Sequence, residues 1–376
     1  MTHPAPRTVL LAPDKFKGTL TAAEVCDALE TGIAAAAPQV RVLRCPIADG
    51  GDGTVEAALA AGFQEHATTV EGPTGQPVRA RWALRGADAV LELAETSGLR
   101  VLPGGDLAPG RAGTRGLGEL ILAARDAGAR RILVGLGGSA TTDAGAGILQ
   151  GLGAHLRTAH GEDIDPGADG LVDLASVDLV PALAALEGIE LVAACDVTNP
   201  LTGPEGAAAV YGPQKGITPE RIGEIDARLA AAGERIDPSG QHAARPGAGA
   251  AGGAGFALYA LGASFEAGAD AVLALLGFDE ALDQADTVVI GEGKLDEQTL
   301  HGKGPAEVAR RARDAGREVL AVAGAVTLPP EQLRAAGIGA AYDLISRSAG
   351  LEDALQRGPE LLEGIGREIG AALGRD

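Results

Sequence analysis

Five apolar runs of this chain end in clusters of acids, glycines and small hydroxyls, the residue types from which ligand-binding loops are made. TVLLAP is followed by Asp14-Lys15-Phe16-Lys17-Gly18, and VRVLRCPI by Ala48-Asp49-Gly50-Gly51-Asp52-Gly53. RRILVGLG runs into Gly138-Ser139-Ala140-Thr141-Thr142-Asp143, ELVAAC into Asp196-Val197-Thr198-Asn199-Pro200, and DTVVI into Gly291-Glu292-Gly293-Lys294-Leu295-Asp296. A structural turn needs one glycine or one capping residue, so this density points to a polar, phosphorylated ligand. ADGGDG sets Asp49 and Asp52 across a glycine turn, with an N-cap plus a turn Asp as the plain alternative. GGSATTD, from Gly137 to Asp143, offers backbone N–H groups and hydroxyls to an anion, or else forms a tight turn capped by Thr142 or Asp143. Lys17 could bring charge to a phosphate, or be a solvated loop lysine. Glu292 and Asp296 have the spacing for Mg²⁺ shared with water and phosphate, and a charged surface turn competes with that reading.

Other chemistries are excluded by pattern. The chain has no GxxxxGK[ST] phosphate loop, no HExxH and no GxSxG elbow. Gly247 to Gly252 (GAGAAG) matches GxGxxG, but HAARP precedes it instead of a strand, and 57 glycines make such a match weak. An NAD-dependent oxidoreductase would have to lean on it. Cys26, Cys45 and Cys195 form no CxxC and are odd in number, against a disulfide framework or zinc ribbon. Lys and Arg total 31 against 51 acids, a net charge of −20 that repels nucleic-acid backbones, while local groups can still hold small anions. The apolar run near the N-terminus is too short for a signal peptide. The uncharged stretch from Pro246 to Phe265 is mostly Gly and Ala, and it reads as a glycine-rich loop entering a buried helix, not a membrane span. The expectation is a cytoplasmic protein with small-molecule partners, no nucleic acid and no membrane.

The elements that must position these loops follow an α/β rhythm. Hydrophobic residues make up 46% of 376 and aromatics only 2%, so the core is Ala, Val, Leu and Ile, suited to close helix-on-sheet packing. Thr21 with Glu24 forms a capping box ahead of the helix AAEVCDALETGIAAAA. Three strands from the N-terminal end (TVLLAP, VRVLRCPIA, HATTVEG) and three from the C-terminal end (DTVVIGEG, REVLAVAG, AAYDLIS) predict one six-stranded parallel sheet. Residues 1–73 and 282–376 would form this discontinuous parallel-sheet domain, with 74–281 inserted as a mixed α/β domain. In the insert, VRARWAL and AVLELAE read as an antiparallel pair. Ligands of such sheets sit beyond the carboxyl ends of strands, and the active site is expected in the cleft between the domains.

LAPDKFKGTLTAAEV, PIADGGDGT, VLELAETSGL, GTRGLGELI, GLGGSATTDAGAG, ACDVTNPLTGPEGAAAVYGPQKG and GEGKLDEQTLHGKGPAEVA together resemble the type I bacterial glycerate kinases. The chain departs from them at Lys15 (often Ser), Asp52 (Glu), Thr142 (Asn) and Gly291 (Thr). The resemblance implies a flavodoxin-like domain interrupted by a second α/β domain, and phosphorylation of D-glycerate by ATP with Mg²⁺, 2-phosphoglycerate being favoured over 3-phosphoglycerate. For that reaction, phosphoryl-transfer chemistry, which is alignment plus charge neutralisation, suggests the roles. Asp196 is expected to accept the hydroxyl proton, with Lys17 and Asp49 also catalytic. Gly137, Gly138, Ser139, Thr141, Thr142, Asp143 and Gly293 would bind the nucleotide, and Asp52, Glu292 and Asp296 the metal. Arg115, Lys215 and Asn199 are expected at the substrate. A nucleotide- or sugar-phosphate-binding protein without transfer chemistry is the other reading.

Overall fold

The structure is a computed structural model that describes residues 7–374 apart from 17, 49, 298 and 300–303. The chain divides into two compact units, Met1–Asp49 with Glu56–Gly62 and Ala269–Asp376, and Gly50–Val55 with Phe63–Gly268.

The first unit is built on five parallel strands. In spatial order they are Arg41–Arg44, Thr8–Pro13, Thr287–Leu295, Glu318–Val326 and Ala340–Asp343. Counted within the unit this is 2-1-3-4-5, the flavodoxin-like order. Val9 lies opposite Thr287 and Ala12 opposite Ile290, so strands from the two ends of the chain pair directly. Thr8–Pro13 is buried throughout, as a strand covered on both faces must be. The helix Ala22–Ala36 opens with the expected capping box, Glu24 N donating to Thr21 Oγ1 and Thr21 N to Glu24 Oε2. It packs on Gly358–Leu373 through glycines. A Cβ on Gly32 would lie 2.1 Å from Glu363 O, and one on Gly366 2.3 Å from Leu29 O. Val25, Leu29, Ile33, Leu362, Ile365 and Ile369 complete that side of the core.

HATTVEG is the exception to the terminal sheet. It forms a strand, Gln64–Glu71, but that strand pairs antiparallel with Pro77–Arg85 in the second unit. Its residues are mostly polar and exposed, with Val70 alone buried, which suits an edge strand and not a strand covered on both faces. The short turn around Pro73 and Gly75, with Gly72 N donating to Gln76 O, returns the chain as a hairpin.

The second unit's sheet runs Ser264–Glu266, Glu190–Ala194, Arg131–Gly135, Asp88–Glu92, Pro77–Arg85, Gln64–Glu71. The first four are parallel and the last two antiparallel, including the expected pairing of Pro77–Arg85 with Asp88–Glu92. Trp82 is buried and its Nε1 donates to Thr68 Oγ1 at 3.0 Å. Ala254–Ala260 is the buried helix expected after the glycine-rich loop. Among the described residues no helix is long and apolar enough to cross a membrane.

Candidate functional site

Both units present the carboxyl ends of parallel strands. In the first, the strand order reverses between Thr8–Pro13 and Thr287–Leu295, and a cavity of about 490 Å³ lies there. Asp14 and Lys15 line it from the end of the first strand, and Glu292, Gly293, Lys294 and Asp296 from the third. Asp14 is buried and its Oδ1 accepts from Lys15 N at 2.7 Å, while Lys294 Nζ lies 3.1 Å from Asp296 Oδ2. The structure therefore brings Glu292, Asp296 and Gly293 to one wall. These carboxylates are the hard oxygen donors that Mg²⁺ takes one or two at a time, with phosphate and water completing its shell. Among the described residues no group of three or more His, Cys, Asp or Glu side chains converges to cage an ion. Lys17 and Asp49 lie outside the described residues.

In the second unit, Gly50–Gly53 crosses the ends of the parallel strands. A Cβ on Gly50 would lie 3.1 Å from Ala194 Cβ, one on Gly137 2.6 Å from Gly51 Cα, and one on Gly138 2.5 Å from Asp52 Oδ1. Two glycine loops therefore touch, with Asp52 between them. Glu92, the last residue of its strand, holds this contact: its Oε1 accepts from Gly53 N (3.1 Å) and Val55 N (2.7 Å). Burial pushes the Glu92 carboxyl up to about 7, against the pull of the Val55 N–H and of Arg100, 3.4 Å from Oε2. Glu92 was not singled out from the sequence, although an acid closing the apolar run AVLE was the available signal.

The loop from Gly137 to Asp143 differs from its expected role. Its helix N-terminus is already filled by a carboxylate of the protein. Asp143 accepts from Gly145 N (3.0 Å), Gly147 N (3.3 Å), Thr114 N (2.9 Å) and Thr114 Oγ1 (2.8 Å). Burial raises its pKa, and those bonds oppose the rise. Ser139 is buried, and Thr141, Thr142 and Asp143 are at most 1% exposed, so the hydroxyls expected to donate to a ligand lie beneath the surface. Only Gly137 and Gly138 keep surface there. The GAGAAG segment is the backing of this loop. Ala144 N donates to Gly252 O, and a Cβ on Gly252 would fall 1.9 Å from Thr141 O. That packing accounts for the glycines without a dinucleotide.

Three residues expected at the substrate have partners within the protein. Lys215 is 1% exposed, its Nζ donating to Thr141 O at 2.7 Å. Burial brings its pKa down to about 7, partly offset by nearby Asp143. It supports the loop from below. Arg115 reaches Glu119 (3.4 Å) and Glu71 (3.8 Å). Asn199 uses both ends of its amide, donating to Glu205 O in its own loop and accepting from Tyr211 Oη at the end of the helix Ala207–Tyr211. Asp196 does stand exposed at the end of Glu190–Ala194, its Oδ1 accepting from Gly268 N at 2.7 Å.

These features define an α/β protein whose parallel strands end in loops rich in acids and glycines. Residues 9–374 match the sequence model of the glycerate kinase family. The chain is 40% identical over 371 residues to a glycerate kinase of Bacillus subtilis (strain 168), covering 97% of each. It is 39% identical over 372 residues to a glycerate 2-kinase of Escherichia coli (strain K12), again covering 97% of each. A crystal structure provisionally described as glycerate kinase 2 from Salmonella typhimurium LT2 superposes with a TM-score of 0.87 at 41% identity, covering 98% of this chain and 99% of that one. The chain belongs to the glycerate kinase family, and it is a small-molecule kinase.

Proposed function

We propose that this chain transfers the γ-phosphoryl group of ATP to a hydroxyl of D-glycerate, giving 2-phosphoglycerate and ADP. The observation that carries the reading is family membership across nearly the whole length, which includes a relative named glycerate 2-kinase. In the transfer the bond from the γ-phosphorus to its bridging oxygen breaks and a bond to the glycerate oxygen forms, while the hydroxyl proton leaves. Asp196 is the proposed acceptor of that proton: it ends a buried strand, and the Gly268 N–H fixes its carboxylate. Charge spreads over the equatorial phosphate oxygens, so the rest of the task is alignment and neutralisation. Mg²⁺, when bound, supplies positive charge there; Glu292 and Asp296 are the proposed metal ligands of the first unit, and Asp52 is a proposed metal ligand of the second. The N–H groups of Gly137 and Gly138, still at the surface, are the proposed anion contacts of the second unit. Lys17 and Asp49 keep the catalytic roles expected of them from phosphoryl-transfer chemistry.

Magnesium-dependent ADP release with D-glycerate tests the proposal. ADP release that depends on both establishes the activity. Nucleotide binding without release leaves a binding protein, and a change in nicotinamide absorbance in place of ADP favours the oxidoreductase.

A further inference from the structure

We infer that the cavity at the strand-order reversal of the first unit holds the nucleoside end, base and ribose, of the phosphoryl donor; this deepens the kinase reading above and rests on it. The cavity's volume of about 490 Å³ falls inside the roughly 300–1,000 Å³ range of ligand pockets. Glycerate would leave most of it empty. One wall is apolar: Phe16, Leu20, Leu344, Ile345, Leu351 and Leu355 offer flat contact to a planar base. Leu351 and Leu355 are 61% and 51% exposed, an apolar rim that a bound base would cover. The cavity is also lined by Asp14, Glu292 and Asp296 with Lys15 and Lys294, three negative charges to two positive. Asp14, which is not among the proposed metal ligands, can accept hydrogen bonds from ribose hydroxyls, and the excess of acids disfavours a bare anion such as glycerate. A crevice at the carboxyl ends of parallel strands, where their order reverses, is where open α/β sheets bind nucleotides.

The floor and the rim can be altered separately. Ala325, on the strand Glu318–Val326, lines the cavity and is half-buried, so Ala325→Phe would take up part of its space. Leu351→Asp with Leu355→Asp changes only exposed rim residues and leaves the core intact. The readouts are KM for ATP, KM for glycerate, and calorimetric binding of ADP and of adenosine alone, each with a melting temperature. Both variants should raise KM for ATP and weaken ADP and adenosine binding by about tenfold or more, with KM for glycerate within about twofold. A folded Ala325→Phe protein with unchanged ADP binding overturns the inference. So does a rise in KM for glycerate at constant KM for ATP. If wild type turns over no glycerate yet binds ADP, and the variants lose that binding, the nucleoside site stands while the glycerate reading falls.

Discussion

Asp143, Glu92 and Asp196 all follow apolar strands of the second unit, and their hydrogen bonds separate their work. Asp143 and Glu92 are buried and occupied by backbone N–H groups, while Asp196 is exposed and held by Gly268 N. Asp196→Asn keeps shape and removes charge. It should cut kcat by about 10²–10⁴ with little change in melting temperature; retention of more than about a tenth of wild-type kcat would remove the base assignment. Glu92 titrates with the opposite consequence, for stability. Its folded pKa of about 7 exceeds the ordinary 4.5, so its contribution is present at low pH and is lost as pH rises through about 7. Glu92→Gln should flatten stability between those values, a difference of up to about 3 kcal/mol measured by urea unfolding. An unchanged slope would show that Glu92 is ionised throughout. For Lys215 the sign reverses. Its pKa of about 7 lies below the ordinary 10.5, so its contribution is present at high pH and is lost as pH falls through about 7. Lys215→Met should remove that rise on the alkaline side alone.

At the scale of elements, glycines decide which backbones touch. Gly252 sits at φ +74°, where a Cβ would strike Thr141 O. Gly252→Ala should cost at least about 2 kcal/mol and lower kcat with it, because the displaced backbone carries Gly137 and Gly138. Thr21→Ala removes the cap of the helix that follows the Asp14–Gly18 loop. It should cost about 1 kcal/mol in thermal unfolding. If Gly252→Ala changes neither stability nor kcat, the backing role assigned to GAGAAG is wrong. These two sites also mark what could be read from the sequence. The capping box was legible because its bonds span three residues. The support of Thr141 by Lys215 and by Ala251 joins residues 74 and 110 positions apart, and no local pattern announces it. For the same reason GGSATTD looked like an open phosphate cradle. Asp143 accepts from Gly145 N and Gly147 N just beyond the segment and from Thr114, 29 residues away, and the last of these has no local sign in the sequence.

For the whole molecule, the alternation of strands and helices announced an α/β protein with a parallel sheet drawn from both ends, and the direct pairing of Val9 with Thr287 realises it. The placement of Gln64–Glu71 was not legible, because a strand's period does not say whether the chain next crosses over or turns back. Which strand-end acids stay exposed and which are consumed inside the fold emerged only with the packing. The claim that joins fold, loops and family is transfer of phosphate to glycerate, and phosphorus NMR of the product tests it most directly. With D-glycerate, ATP and Mg²⁺, a phosphomonoester signal should grow as ATP falls, split into a doublet by the single proton on C2. A triplet-like pattern from the two C3 protons would contradict the assignment to 2-phosphoglycerate, and no new phosphomonoester would contradict the account itself.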